Sequence, residues 1–233
     1  MATLLKISTG PNHNADPQSE WNVTVKKSFR VIITAYDAYG NVDTSYNKIV
    51  NIYADDGKGN YPYQIGSAQA LNGQATVWCN PLTIIYGTNP FRYIIARDID
   101  GLQSLSIRIA VYFYVYGSIE FHTNCDGTLS YGAQTACVPN GLPPNSIFVA
   151  LPATGLCNKS IYISTSSTGT FKKSQILDVG PWRTNDPYWN TGNYGIYRAD
   201  IDISDGLATQ LGIPYGCNGS TPWGGAYVLW RFS

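Results

Sequence analysis

Charge is scarce in this chain. Only 13% of its 233 residues are Asp, Glu, Lys or Arg, and glutamate occurs only at Glu20 and Glu120. Basic and acidic residues balance at 15 each. Lys26-Lys27 and Lys172-Lys173 are isolated pairs that read as solvated strand ends. A nucleic-acid binder would show a basic surplus or stripe, so nucleic acid is not an expected partner. Histidine is confined to His13 and His122, and no cysteines form a C-x-x-C pair. No metal site is therefore expected, and no cofactor. No run approaches the ~20 apolar residues of a membrane span. Met1-Ala-Thr-Leu-Leu-Lys also lacks the basic start and long apolar core of a secretory signal.

What is abundant points to strands and turns. Tyr contributes 18 residues, Trp 6 and Gly 23. Aromatic and β-branched residues favour pleated, half-buried segments, and Gly, Asn, Asp and Pro supply the turns between them. The expected class is all-β. In the first half, predicted strands are Ser28–Tyr36, Lys48–Tyr53, Gln74–Trp78, Phe91–Ala96 and Leu105–Val111. Their spacing suggests an antiparallel sandwich over residues 1–115. The tyrosine-rich Tyr112–Gly117 segment marks the boundary with a second domain, 116–233. One helix is expected, Asp205–Gly212, with Ser204 as N-cap and Gly212 as its stop.

Five cysteines fall at 79, 125, 137, 157 and 217. Cys125, Cys137, Cys157 and Cys217 are an even set in the second half, able to form two disulfides by any of three pairings. Buried free thiols are the alternative. Disulfides would place the protein in an oxidising compartment, and Cys79 is left over as an expected buried thiol. An extracytoplasmic chain without a recognisable signal has three explanations: a signal already removed, another export route, or release by lysis within a virus particle.

Two family resemblances sharpen this picture. Phe29-Arg-Val-Ile-Ile-Thr-Ala-Tyr-Asp-Ala-Tyr-Gly-Asn-Val42 resembles the F-x-V-x-A-x-D-x-x-G-N signature of bacterial immunoglobulin-like domains in surface and phage proteins. Such domains space, dock or adhere. In the second half, three segments occur in order: Ile147–Ile163 with its Leu-Pro turn, Gln175-Ile-Leu-Asp-Val-Gly-Pro-Trp182, and Ile201-Asp-Ile-Ser-Asp-Gly-Leu-Ala208. Together they resemble the rare-lipoprotein-A/expansin-like family. That resemblance implies a six-stranded double-psi β-barrel directed at polysaccharide, either peptidoglycan or β-glucan.

The residues themselves suggest how a sugar would be met. In Asp178-Val-Gly-Pro181 a carboxylate ends an apolar strand at a turn, and Trp182, Tyr188 and Trp189 follow in a Gly/Asn/Pro-rich loop. Aromatic faces beside acids suit a glycan cleft, although the same rings could cover an open barrel end. Asp202 reads equally as a groove residue or as a cap for the coming helix. Asp186 reads as a turn former.

The lytic members of the family would carry a Glu upstream of the Leu-Pro segment and a His near position 148. Gly132–Val138 contains no acid and position 148 is Phe, so only Asp178 matches the family's catalytic set. Asp126, in Asn124-Cys-Asp-Gly127, could supply a second acid to pair with Asp178, or could simply form a tight turn. Glu120 and His122 alternate with Ile119 and Phe121, which predicts a solvent-facing strand side. The expected function is a structural or binding protein on a virus particle or cell surface, contacting glycan without strong catalysis. Other virion or surface proteins would dock through the N-terminal domain. The alternatives are a peptidoglycan lytic transglycosylase or glycoside hydrolase using Asp178, and a purely structural virion protein.

Overall fold

The structure is a computed structural model that describes residues 1–9, 21–24, 27–56, 59–82, 91–130, 132–153, 155–166, 169–180 and 201–233. It is an all-β protein. Two compact units emerge: Met1–Ile84 with Phe91–Val111, and Tyr112–Ser233.

The first unit contains β1 (Leu4–Thr9), β2 (Trp21–Thr24), β3 (Phe29–Tyr36), β4 (Ile49–Ala54), β5 (Tyr63–Gln69), β6 (Gln74–Cys79), β7 (Phe91–Asp98) and the start of β8 (Ile107–Glu120). β3 pairs antiparallel with β1 and β6, while β4 lies between β5 and β7, and β7 pairs with Ile107–Ala110 of β8. Alternation in β4 and β6 buries one side of each strand, whereas Ile33–Ala35 of β3 and Ile94–Ala96 of β7 are buried in succession. In β6, Ala75, Val77 and Cys79 are buried while Gln74, Thr76 and Trp78 are exposed. Leu5, Ile7, Val31, Ile33, Val50, Ile52, Ile94 and Ile109 fill the core. Cys79 is a free thiol in that core, and burial pushes it up to about 12.

The second unit takes Tyr112–Glu120 of β8 and adds β9 (Phe148–Ala150), β10 (Ser160–Ser164), β11 (Lys172–Asp178), β12 (Ile201–Ser204), helix α1 (Asp205–Leu211), β13 (Tyr215–Asn218) and β14 (Thr221–Phe232). Six of these strands pair in a closed ring. β8 pairs antiparallel with β14, β14 with β10, and β10 with β11. β11 runs parallel to β9, β9 antiparallel to β12, and β12 parallel to β8. Closure leaves the ring without an unpaired edge. Inside sit Phe113, Val115, Val149, Ile161, Ile176, Ile201, Ile203, Val228 and Trp230. Phe113 and Trp230 stack at 4.5 Å between centroids.

The helix obeys its local signals. The Ser204 Oγ accepts from Leu207 N–H at 3.2 Å and Gly212 ends the helix in the left-handed region. Two disulfides staple this unit. Cys125 is bonded to Cys217 and Cys137 to Cys157, with Cα separations of 5.6 and 5.4 Å. Both fit an oxidising, extracytoplasmic setting. Among the described residues no helix is long and apolar enough to cross a membrane.

Candidate functional site

The register of the ring builds a lateral row. Asp178 stands opposite Ala150, Ala150 opposite Asp202, and Asp202 opposite Ser118. Residues in register share a face, so strands distant in sequence bring two acids and a hydroxyl into line. A register shift between Ile176 and Asp178 interrupts the β9–β11 ladder where Asp178 leaves it. Bulges of this kind re-aim side chains at sheet ends. Glu120, two residues beyond Ser118, continues the same face of β8.

Each acid has a definite partner. Asp178 is buried, and its Oδ1 accepts from Ala136 N–H at 2.6 Å. Asp202 Oδ1 accepts from the Ser118 hydroxyl. Gly180 lies against Asp202, since a Cβ there would stand 3.6 Å from Asp202 Oδ2. Asp205 Oδ2 accepts from His122 N–H at 3.0 Å, tying the helix start to the end of β8.

Glu120 has the strongest electrostatic signature. Burial first, then a hydrogen bond with Asp178 and the charges of Asp178, Asp202 and Asp205, push its carboxyl up to about 10. Its Oε2 is buried and, as a carboxylate oxygen, finds no donor. A proton resolves this, because a carboxylic acid donates where two carboxylates would repel. The residue remains partly exposed, but its acid end sits inside the cluster. This corrects the expectation of a solvent-facing Glu120. Alternation correctly put the residue on one side of β8, but that side faces Asp178 rather than open water.

The other expected residues are distributed as follows. Asp126 stays in an exposed turn, accepting from Thr128 N–H at 2.9 Å and Thr128 Oγ1 at 2.6 Å. Those bonds hold its carboxyl below the usual range. It is not among the groups acting on Glu120. Asp202 points to Ser118, and the helix cap is Ser204. Trp182, Asp186, Tyr188 and Trp189 lie outside the described residues. His122 faces Leu142 O through Nε2 at 2.9 Å. It lines a recess of about 730 Å³ with Gln134, Thr135 and Asn140, and the lining contains no carboxylate. No group of residues suited to hold a metal ion occurs among the described residues.

Residues 129–204, less than half of the chain, match a family described as a domain of unknown function (DUF8814). The match spans Asp178 and Asp202 but not Glu120. A Bacteroides ovatus protein of a mixed-linkage glucan utilization locus, SGBP-B, solved in complex with a mixed-linkage heptasaccharide, is similar over 91% of this chain and 50% of its own. Identity is 10% and the TM-score 0.27. This chain thus spans half the length of that protein, and likeness at this level carries no argument about ligand. No curated protein matches the chain.

Proposed function

We propose that the second unit is a glycan-binding barrel of the rare-lipoprotein-A/expansin-like, double-psi type, and that the first unit is an immunoglobulin-like spacer or docking domain. The carrying observation is the row Asp178–Asp202–Ser118 with Glu120 held as an acid beside it. Sugar hydroxyls both donate and accept, and this cluster offers both functions on one face. The closed ring of six strands, with parallel pairs β9–β11 and β8–β12, supports the barrel reading. The paired disulfides support a place outside the cytoplasm, and the reading puts it on a virus particle or cell surface.

The same geometry argues for binding over hydrolysis. Two-carboxylate glycosidases hold their acids about 5–5.5 Å apart when retaining and about 6.5–9.5 Å when inverting. Asp178 is among the groups that raise the Glu120 carboxyl, so the two read as one acid cluster facing sugar hydroxyls rather than as acids set on either side of a glycosidic bond.

Incubation of the full chain with insoluble β-glucan and with peptidoglycan sacculi, assaying the pellet and soluble fragments together, tests this reading. We expect pelleting without fragments. Asp178→Asn should weaken retention about tenfold, the loss of one charge-assisted contact, while leaving Tm within a few degrees. Fragments that vanish in Asp178→Asn would replace binding with acid–base catalysis through the Glu120 proton. Failure to pellet with either polymer would leave a structural role.

A further inference from the structure

We propose that the outer face of β8 and β14 is a stacking platform for a linear, uncharged, β-linked glycan that continues onto the carboxyl row. This rests on the glycan-binding reading above and assigns the ligand class and its direction of travel.

Along β8, Phe113, Val115 and Gly117 turn into the barrel, so Tyr114, Tyr116, Ser118 and Glu120 share the outer face. Tyr227 of β14 stands opposite Tyr116. The Tyr114 and Tyr227 rings stack with centroids 5.3 Å apart and planes at 24°, and Tyr116 meets Tyr227 edge-on at 5.5 Å. These three rings brace one another, yet Tyr114, Tyr116 and Tyr227 remain 40, 43 and 58% exposed. They form a preorganised aromatic surface, where stacking costs little side-chain ordering.

The platform abuts the acids directly. Gly225 stands opposite Ser118, and a Cβ there would sit 2.6 Å from Tyr116 Oη. Tyr116 therefore lies across a position that only glycine leaves open, and its hydroxyl reaches the level of the Ser118–Asp202 pair. From Tyr114 to Glu120 the strand advances about 20 Å, the length of roughly four β-linked pyranoses.

Charge and hydrogen bonding select among occupants. Among the described residues, this face between Tyr114 and Ser118 consists of Tyr114, Tyr116, Ser118, Gly225, Tyr227 and Leu229, with no formal charge, and the next residue of the face on β14, Arg231, is buried against Tyr112. Beyond it stand Asp178, Asp202 and Asp205, which would repel an anionic glycan. A peptide adding itself as a strand needs an open edge, whereas β8 and β14 are bonded to each other here. Flat pyranoses with equatorial substituents present C–H faces to rings and hydroxyls to acids, which matches the order found along β8.

Calorimetric titration of the full chain with β-1,4-linked gluco-oligosaccharides of about two to six units, the span set by strand rise, tests the assignment. Affinity should climb with length and level off near four units. Tyr227→Ala and Tyr114→Ala should each lose about tenfold, the size of one stacking contact, and move the plateau to shorter chains. Near-UV circular dichroism would verify that both variants keep the wild-type fold. Wild-type binding that both variants retain unchanged would remove the platform but leave the glycan reading standing. A wild-type chain that binds neither these oligosaccharides nor the polymers would overturn both. A dimer dissolved by Tyr227→Ala would assign the platform to a second copy and overturn the proposal.

Discussion

Glu120 is the residue on which pH acts most directly. Its carboxyl has an ordinary value of 4.5 and is pushed up to about 10 in the folded chain. The folded state therefore holds a proton that the unfolded state releases, and stability falls wherever that difference exists. The contribution is fully present below pH 4.5 and is lost as pH rises through about 10. Glu120→Gln keeps a donor toward Asp178 and cannot ionise. Denaturant unfolding of both proteins from mildly acidic to alkaline pH should show the variant gaining on the wild type, by about 1–3 kcal/mol at the alkaline end. Parallel stability curves would mean that Glu120 is not held as an acid. Asp178 and Asp202 were legible as acids at strand ends from local sequence. Glu120 was not, because its neighbours come from β11 and β12, some 60 to 80 residues later in the chain. A lone acid closing an apolar strand, in a chain with so little glutamate, was the available signal.

The segment from β12 into α1 shows how one side chain can serve several elements. Ser204 is fully buried, and its Oγ accepts from Leu207 N–H at 3.2 Å and Phe148 N–H at 3.0 Å while donating to Ser146 O at 2.8 Å. It caps the helix and also ties β9 to β12, the two strands that carry the middle of the carboxyl row. Ser204→Ala should cost about 2–3 kcal/mol, above an ordinary cap, because buried groups on the β9 side lose their partner as well. Thermal unfolding would measure this, and a loss below half a kcal/mol would show that solvent replaces the bonds. The helix, its cap and its glycine stop were readable from sequence since all three are local. Tyr112–Gly117 was readable as a tyrosine-rich strand at a boundary, but its union with Ile107–Val111 and Ser118–Glu120 in one strand was not, since that depends on pairing with β7, β12 and β14.

Across the second unit, the disulfides join segments that lie far apart in sequence. Cys125–Cys217 spans 92 residues and Cys137–Cys157 spans 20. Loop entropy in the unfolded chain grows with the logarithm of loop length, so the longer bridge should contribute about 1 kcal/mol more, within a total of about 2–5 kcal/mol for each. Paired serine variants, Cys125→Ser/Cys217→Ser and Cys137→Ser/Cys157→Ser, compared by urea unfolding, would rank them. Cys137–Cys157 has a local consequence as well. Cys137 follows Ala136, whose N–H holds Asp178, so its loss should weaken glycan retention more than the longer bridge does. Equal effects on retention would separate that bridge from the site.

The sequence by itself determined the all-β class, the positions of β3, β4, β6, β7 and the start of β8 but not of β1, β2 or β5, the single helix with its caps, and the candidacy of Asp178 and Asp202. These follow from alternation, turn chemistry and capping, which act over a few residues. It left the disulfide pairing open among three choices and put Glu120 in solvent. The tertiary structure decided both, and it alone aligned Asp178, Asp202 and Ser118 and set Tyr227 between Tyr114 and Tyr116. Those relations depend on which strands pair and in what register. Such pairings join β8 to β12 and β14 across 80 or more residues, and a local pattern carries no information about that choice.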